Sequence, residues 1–171
     1  MNGAESLVRT LVKGGVEVCF ANPGTSEMHL VTAIGKTDRV RPILCLFEGV
    51  VTGAADGYAR VTGKVGVCMG TSGPGATNLV TAIADAHMDS IPLIAITGQV
   101  FSTLMGTDAF QEVDIVGIKV LNLDHLEVDS TRLCVQEVGH AAGHTRGKVA
   151  TSRAQDHDAA TSHVLTPMVT D

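Results

Sequence analysis

Apolar side chains at Leu7, Val8, Leu11 and Val12 recur at helical spacing, and Asn2 with Glu5 three residues later forms a capping box ahead of them. Gly14-Gly15 supplies the stop, so the pattern predicts a first helix from Asn2 to the Gly pair. A short apolar run, Val16 to Phe20, then reads as a strand. It ends at Asn22-Pro23-Gly24-Thr25-Ser26-Glu27, a turn that opens a helix through about Ile34 with an acid in its first turn. A charged loop, Lys36 to Arg41, leads through Pro42 to a second strand, Ile43 to Phe47, and the helix after Glu48 runs to about Val61. Gly63-Lys64 turns the chain into a third strand, Val65 to Met69. The loop Gly70 to Gly75 opens a helix over Ala76 to Met88, and Ile91 to Thr97 is a fourth strand ended by Gly98-Gln99.

These strands are continuously apolar rather than alternating, as expected of parallel strands buried on both faces by crossover helices. The expected fold is therefore α/β, an open, mostly parallel sheet flanked by helices. Ligands of such sheets bind beyond the carboxyl ends of the strands. Asn22-Pro23-Gly24, Glu48, Thr71-Ser72-Gly73 and Gly98-Gln99 all fall there. Glu48 stands out because Val, Leu and Phe flank it, an arrangement expected to keep water away. Burial of this kind favours the neutral acid unless a partner hydrogen-bonds it, which makes Glu48 the candidate acid/base. It also reads as an acid capping the next helix. Asp56 and Arg60, four apart on that helix, read as a surface ion pair.

Composition narrows the setting. The 171 residues suffice for one domain with a real core, and 44% hydrophobic against 18% charged residues argues against disorder. A net charge of −6 without a basic cluster makes nucleic acid or an anionic membrane surface an unsuitable partner. No apolar run approaches the roughly 20 residues that span a bilayer, and no secretory signal is evident. Cys19, Cys45, Cys68 and Cys134 form no C-x-x-C pair, and three of them sit in apolar strand-like runs. They read as small buried thiols in a reducing compartment, hence a cytoplasmic location.

The loop Gly70-Thr71-Ser72-Gly73-Pro74-Gly75 exposes amides at a helix start, but it is neither G-x-G-x-x-G nor a P-loop, and Pro74 removes one donor. Nucleotide binding is not the main reading. Leu46-Phe47-Glu48 followed by Gly53-Ala54-Ala55-Asp56-Gly57-Tyr58-Ala59-Arg60 resembles the acid-to-G-Y-A-R segment of thiamine-diphosphate-dependent decarboxylases and carboligases. Thr71-Ser72-Gly73-Pro74-Gly75-Ala76-Thr77-Asn78 is similar to the corresponding loop of acetolactate (acetohydroxyacid) synthase catalytic subunits. So are Asp89-Ser90-Ile91-Pro92, Thr97-Gly98-Gln99-Val100 and Gly106-Thr107-Asp108-Ala109-Phe110-Gln111-Glu112, in matching order over roughly residues 3 to 117.

The resemblance implies that Glu48 hydrogen-bonds N1′ of the cofactor's aminopyrimidine and favours the imino tautomer, which takes the thiazolium C2 proton. It implies that Pro23 and Gly24 lie against the aminopyrimidine, and that Thr71, Ser72, Gly73 and Asn78 lie near thiamine diphosphate and a partner subunit. Gln111 would then face a 2-oxo acid substrate such as pyruvate. Beside each stands a plainer reading: turn chemistry for Thr71 and Ser72, an exposed helix position for Asn78, a surface residue beside a capping acid for Gln111. Phe110 reads as a substrate wall or, more commonly for its type, as core. No G-D-G…N segment for the magnesium that holds the diphosphate is present, nor a middle domain for FAD, so both groups would enter only through domains absent from this chain. The chain would hold half of a site, inactive alone, completed in a homo-oligomer or by a partner chain with a diphosphate-binding domain. The other reading is a truncated, non-catalytic remnant that at most pairs with full-length relatives.

The domain is expected to cover residues 1–118, incomplete at its C-terminal end. The match is lost after about Ile118, and residues 119–171 contain no Phe, Tyr or Trp. They are expected to form a divergent tail, partly or wholly disordered, although 121–138 could still add a strand or short helix. Residues 145–162 show no helical or strand-like stripe. His140 and His144 are four apart, but the neighbouring Gly139 and Gly143 weaken any metal-binding helix.

Overall fold

The computed structural model describes residues 1–115, 133–139 and 149–151. In chain order they form α1 (Gly3–Lys13), β1 (Val18–Asn22), a 3-10 turn (Thr25–Glu27), α2 (Met28–Gly35), β2 (Arg41–Leu44), α3 (Glu48–Thr62), β3 (Gly66–Gly70), α4 (Pro74–Met88), β4 (Leu93–Gln99), β5 (Leu133–Gly139) and β6 (Val149–Thr151). The sheet order is β2-β1-β3-β4-β5-β6. All pairings from β2 to β5 are parallel and only β6 is antiparallel. The expected α/β architecture is present.

Local chemistry explains the element ends. The Asn2 side chain accepts from the Glu5 N–H at 2.9 Å while the Glu5 carboxylate accepts from the Asn2 N–H at 3.2 Å, so the capping box is formed. Gly63 closes α3 at φ 68°, a left-handed C-cap that glycine adopts without steric cost. Pro74 occupies the first turn of α4, where its missing N–H would have no helical partner anyway.

Two cores lie on opposite faces of the sheet. α1 and α2 cover one, with Val8, Leu11, Leu30 and Ile34 against Cys19, Ala21, Met69 and Ile96. α3 and α4 cover the other, with Val51, Ala55, Leu79 and Ile83 against Phe20, Cys68, Leu93 and Ala95. At Gly66 the backbone of α3 comes so close that a Cβ would collide with the Ala55 carbonyl, which seats that helix directly on β3.

Three strands end later than the apolar runs suggest. β1, β3 and β4 reach Asn22, Gly70 and Gln99, residues expected in the turns. β2 does the reverse. It ends at Leu44, and Cys45 to Phe47 leave the sheet instead of continuing it to Phe47. The physical reason is position: β2 is an edge strand paired only with β1, so its apolar residues have no second neighbour to cover them. β5 falls in the stretch left open for a strand. β6 corrects the reading of 145–162 as lacking any strand. The remaining residues expected to be disordered, and His140 and His144, lie outside the described residues.

Candidate functional site

The chain leaves β1 toward β2 on one side and reaches β3 on the other, so the loops after β1 and β3 diverge at their carboxyl ends. A crevice opens at such a reversal. Its floor is sheet: Asn22 pairs with Gly70 and Gly70 with Thr97. Glu48, the first residue of α3, reaches over this floor and is only 8% exposed.

The cause of that burial differs from the expectation. Leu46 is 91% exposed, and Phe47 and Val50 also face outward; of the flanking apolar residues Val51 is buried. Glu48 is instead enclosed by the other side of the crevice. A Cβ at Gly70 would stand 3.3 Å from Glu48 Cγ, and one at Gly75 would stand 3.0 Å from Glu48 Oε1. Both glycines vacate the space the acid fills. Asn78, an exposed residue of α4, donates through Nδ2 to Glu48 Oε2 at 3.0 Å. Among the described residues Oε1 receives no hydrogen bond. One oxygen is committed and the other remains available to a ligand.

The other candidates gather around the same edge. Gly24 and Thr71 touch, since a Cβ on Gly24 would collide with the Thr71 hydroxyl, so the Pro23-Gly24 turn and the 70–75 loop form one wall. Ser26 Oγ lies 3.3 Å from Thr71 Oγ1 and 3.5 Å from Ser72 Oγ, and Ser72 is buried. Gly73, at φ 58°, lies under the backbone of Gln111, where any Cβ would strike the Gln111 carbonyl. Phe110 is a correction. It is 88% exposed rather than core, because it sits in the loop after β4, where none of the described elements covers it. Gln111 lies beside the capping acid Glu112, which accepts the Ala109 N–H at 3.0 Å.

Two arrangements went beyond the sequence reading. Glu27 is a second buried acid, 3% exposed, that accepts the Gly24 N–H at 2.7 Å and the Ser26 hydroxyl, and it rests on Gly98, where a Cβ would overlap it. Its only signal was an acid three residues after a glycine in a turn. The Asp56–Arg60 pair is also more than a surface contact: Asp56 is 9% exposed and holds Arg60 Nε at 2.7 Å. Arg60 reaches on to Asp89 at 2.7 Å and Asp85 at 3.5 Å, and the hydrogen bonds to Asp56 and Asp89 raise its pKa further. Among the described residues no group of His, Cys, Asp and Glu is arranged to hold a metal, and no helix is long and apolar enough to cross a membrane.

A doubly wound, mostly parallel sheet with a buried carboxylate at its reversal point defines an α/β domain of the class that binds ligands at the strand ends. The family model for the thiamine pyrophosphate enzyme N-terminal TPP-binding domain matches residues 1–118, and the chain belongs to this family. It is similar to an acetolactate synthase of Mycobacterium avium, 56% identical over 118 residues, which are 69% of this chain and 19% of the relative. It is likewise similar to the acetolactate synthase large subunit of Corynebacterium glutamicum, 52% identical over 118 residues (69% of this chain, 19% of the relative). With the acetolactate synthase isozyme 2 large subunit of Escherichia coli it shares 50% over 125 residues, 73% of this chain and 23% of the relative. The chain thus spans about a fifth of the length of these relatives.

Proposed function

We propose that this chain supplies the aminopyrimidine-binding half of an acetolactate-synthase-like site, with Glu48 as its proton-handling residue. The observation that carries the reading is the asymmetry of the Glu48 carboxyl: Oε2 is held by Asn78, and Oε1 is without a hydrogen bond among the described residues. That arrangement fits a ligand nitrogen able to share a proton with the acid, because one oxygen is fixed and the other is not. Thiamine diphosphate, when bound, supplies the carbon nucleophile and electron sink needed to cleave or join 2-oxo acids such as pyruvate.

The chain's own residues do the rest. Glu48 would share a proton with N1′, a charge-assisted bond worth on the order of 1.5–3 kcal/mol. Asn78 fixes the carboxyl rotamer. Gly75 and Gly70 make room for the acid, and the Pro23-Gly24 turn, braced by Thr71, would form a wall beside the ring. Ser72 and Gly73 shape the turn, while Phe110 and Gln111 stand at the outer lip on the substrate side. Magnesium, the diphosphate and FAD belong on this reading to other domains, supplied by a partner chain or a second subunit.

The test is hydrogen–deuterium exchange at C2 of thiamine diphosphate, followed by NMR with this chain mixed with a chain carrying the diphosphate-binding domain. Exchange accelerated by the mixture and slowed about 10²–10⁴-fold by Glu48→Gln, the scale of a positioned acid/base, is the expected result. Equal exchange in the two proteins removes the role of Glu48. Lack of cofactor binding in any mixture favours a non-catalytic relative that only pairs with longer family members.

A further inference from the structure

The loop after β4 carries Phe101, Leu104, Met105 and Phe110 exposed, so apolar burial does not hold it in shape. Its backbone is nevertheless demanding. Gly106, Asp108 and Gln111 have φ of 84°, 58° and 63°, a region that side chains other than glycine seldom adopt. Backbone bonds and the Thr107 hydroxyl, which donates to the Leu104 carbonyl at 2.7 Å, fold its first half, and one carboxylate gathers the amides of the second. Glu112 accepts the N–H groups of Gly106, Thr107 (3.3 Å) and Ala109 (3.0 Å), three amides of one turn. The same turn delivers the Gln111 carbonyl onto Gly73, at the head of α4.

We propose that Glu112 is a positioning residue, a clamp whose carboxylate gathers the 106–109 amides and so holds Gln111 over Gly73, with Phe110 beside it on the loop. What Phe110 and Gln111 would face rests on the thiamine reading; the clamp does not. Those backbone amides also hold the Glu112 carboxyl below its ordinary value of 4.5. A depressed carboxylate contributes order that is present above about 4.5 and lost as pH falls through its lower folded value. The other acids of the segment are Asp108 and Asp114. Among the described residues no charged side chain of α4, β4 or any other element forms an ion pair with Glu112.

The sequence has no tryptophan, so Phe110→Trp places a single indole on the loop. The expected result is high fluorescence anisotropy at pH 7 and a loss of anisotropy on acidification below 4.5, while far-UV circular dichroism stays constant. In the same reporter, Glu112→Gln is expected to show the low value already at pH 7 with no acid step, and Glu112→Asp to restore part of the step. Identical anisotropy curves with and without the Glu112 carboxylate overturn the clamp. In the unsubstituted chain the amide resonances of Gly106 and Ala109 provide an independent readout. Titration of both with a single carboxyl below 4.5 supports the clamp, and invariance overturns it. An acid step in a protein that binds no thiamine diphosphate with any partner supports the clamp and overturns the thiamine reading; cofactor binding without the step does the reverse.

Discussion

At the Glu48 carboxyl, position depends on absent atoms as much as on present ones. Gly75→Ala would put a methyl 3.0 Å from Oε1 and 2.6 Å from Thr71 Cγ2, so the acid or the loop must shift. We expect a loss of about 1–3 kcal/mol of stability, the usual cost of overpacking, read by urea denaturation. Thr97 shows the opposite case. Its hydroxyl is fully buried in β4 and has no hydrogen-bond partner among the described residues. Thr97→Val replaces an unsatisfied polar group with a methyl of similar size, and is expected to stabilise the protein by ~1 kcal/mol in the same assay. The thiols divide as the apolar runs suggested for two of them. Cys19 and Cys68 are buried, and burial pushes the Cys19 thiol up to about 12, with nearby Cys68 adding to it. Cys45 is half-buried at the end of β2. Peptide mapping after brief alkylation of the folded chain should therefore find Cys45 modified and Cys19 and Cys68 protected.

At the scale of elements, α3 and α4 both begin at the carboxyl edge and lie side by side, tied at each end. Glu48–Asn78 joins their N-terminal ends, and Arg60 joins the last turn of α3 to Asp85 of α4 and to Asp89 just past its end. Arg60→Ala would strip Asp56 of its partner while Asp56 stays buried, so a lower Tm is expected. Salt should weaken only the exposed legs to Asp85 and Asp89 in the wild type, because screening acts on solvated charges. These two ties also show what the sequence could and could not convey. Helix starts, the capping box and the parallel strands were legible because they depend on residues within a few positions. The crevice-side enclosure of Glu48 was not, since it comes from Gly70, Gly75 and Asn78, more than 20 residues away. Leu46 and Phe47 misled for the same reason: an apolar neighbour in sequence says nothing about which side of an edge strand it will face. Phe110 followed the average habit of its residue type, and its uncovered loop overrode it.

For the whole molecule, the pH response rests partly on His87. This α4 side chain is 5% exposed, and burial lowers its pKa from the ordinary 6.5. The unfolded chain therefore binds a proton near pH 6.5 that the folded chain accepts only at lower pH. Stability must fall as pH drops through that window and is fully present above it. Unfolding free energies between pH 8 and 5 should decline less steeply for His87→Gln than for the wild type. The contrast cancels the contribution of the other histidines. Assembly is the other property of this scale. Leu44, Leu46, Phe47 and Val50 stand exposed together at the end of β2 and the start of α3, next to the Glu48 site.

The outer border of the sheet limits how a second copy could add to it. Arg41 and Cys45 donate their N–H groups inward, to Glu17 at 2.8 Å and Ala21 at 2.9 Å, so the alternate positions Pro42 and Leu44 turn their nitrogens outward. Proline has no hydrogen to offer, leaving Leu44 as the sole outward amide donor of β2. Stacking of one copy's backbone on another's, the route to fibres, is thereby blunted on this flank. On this flank a second copy would find greasy side chains at the rim rather than a row of free amides.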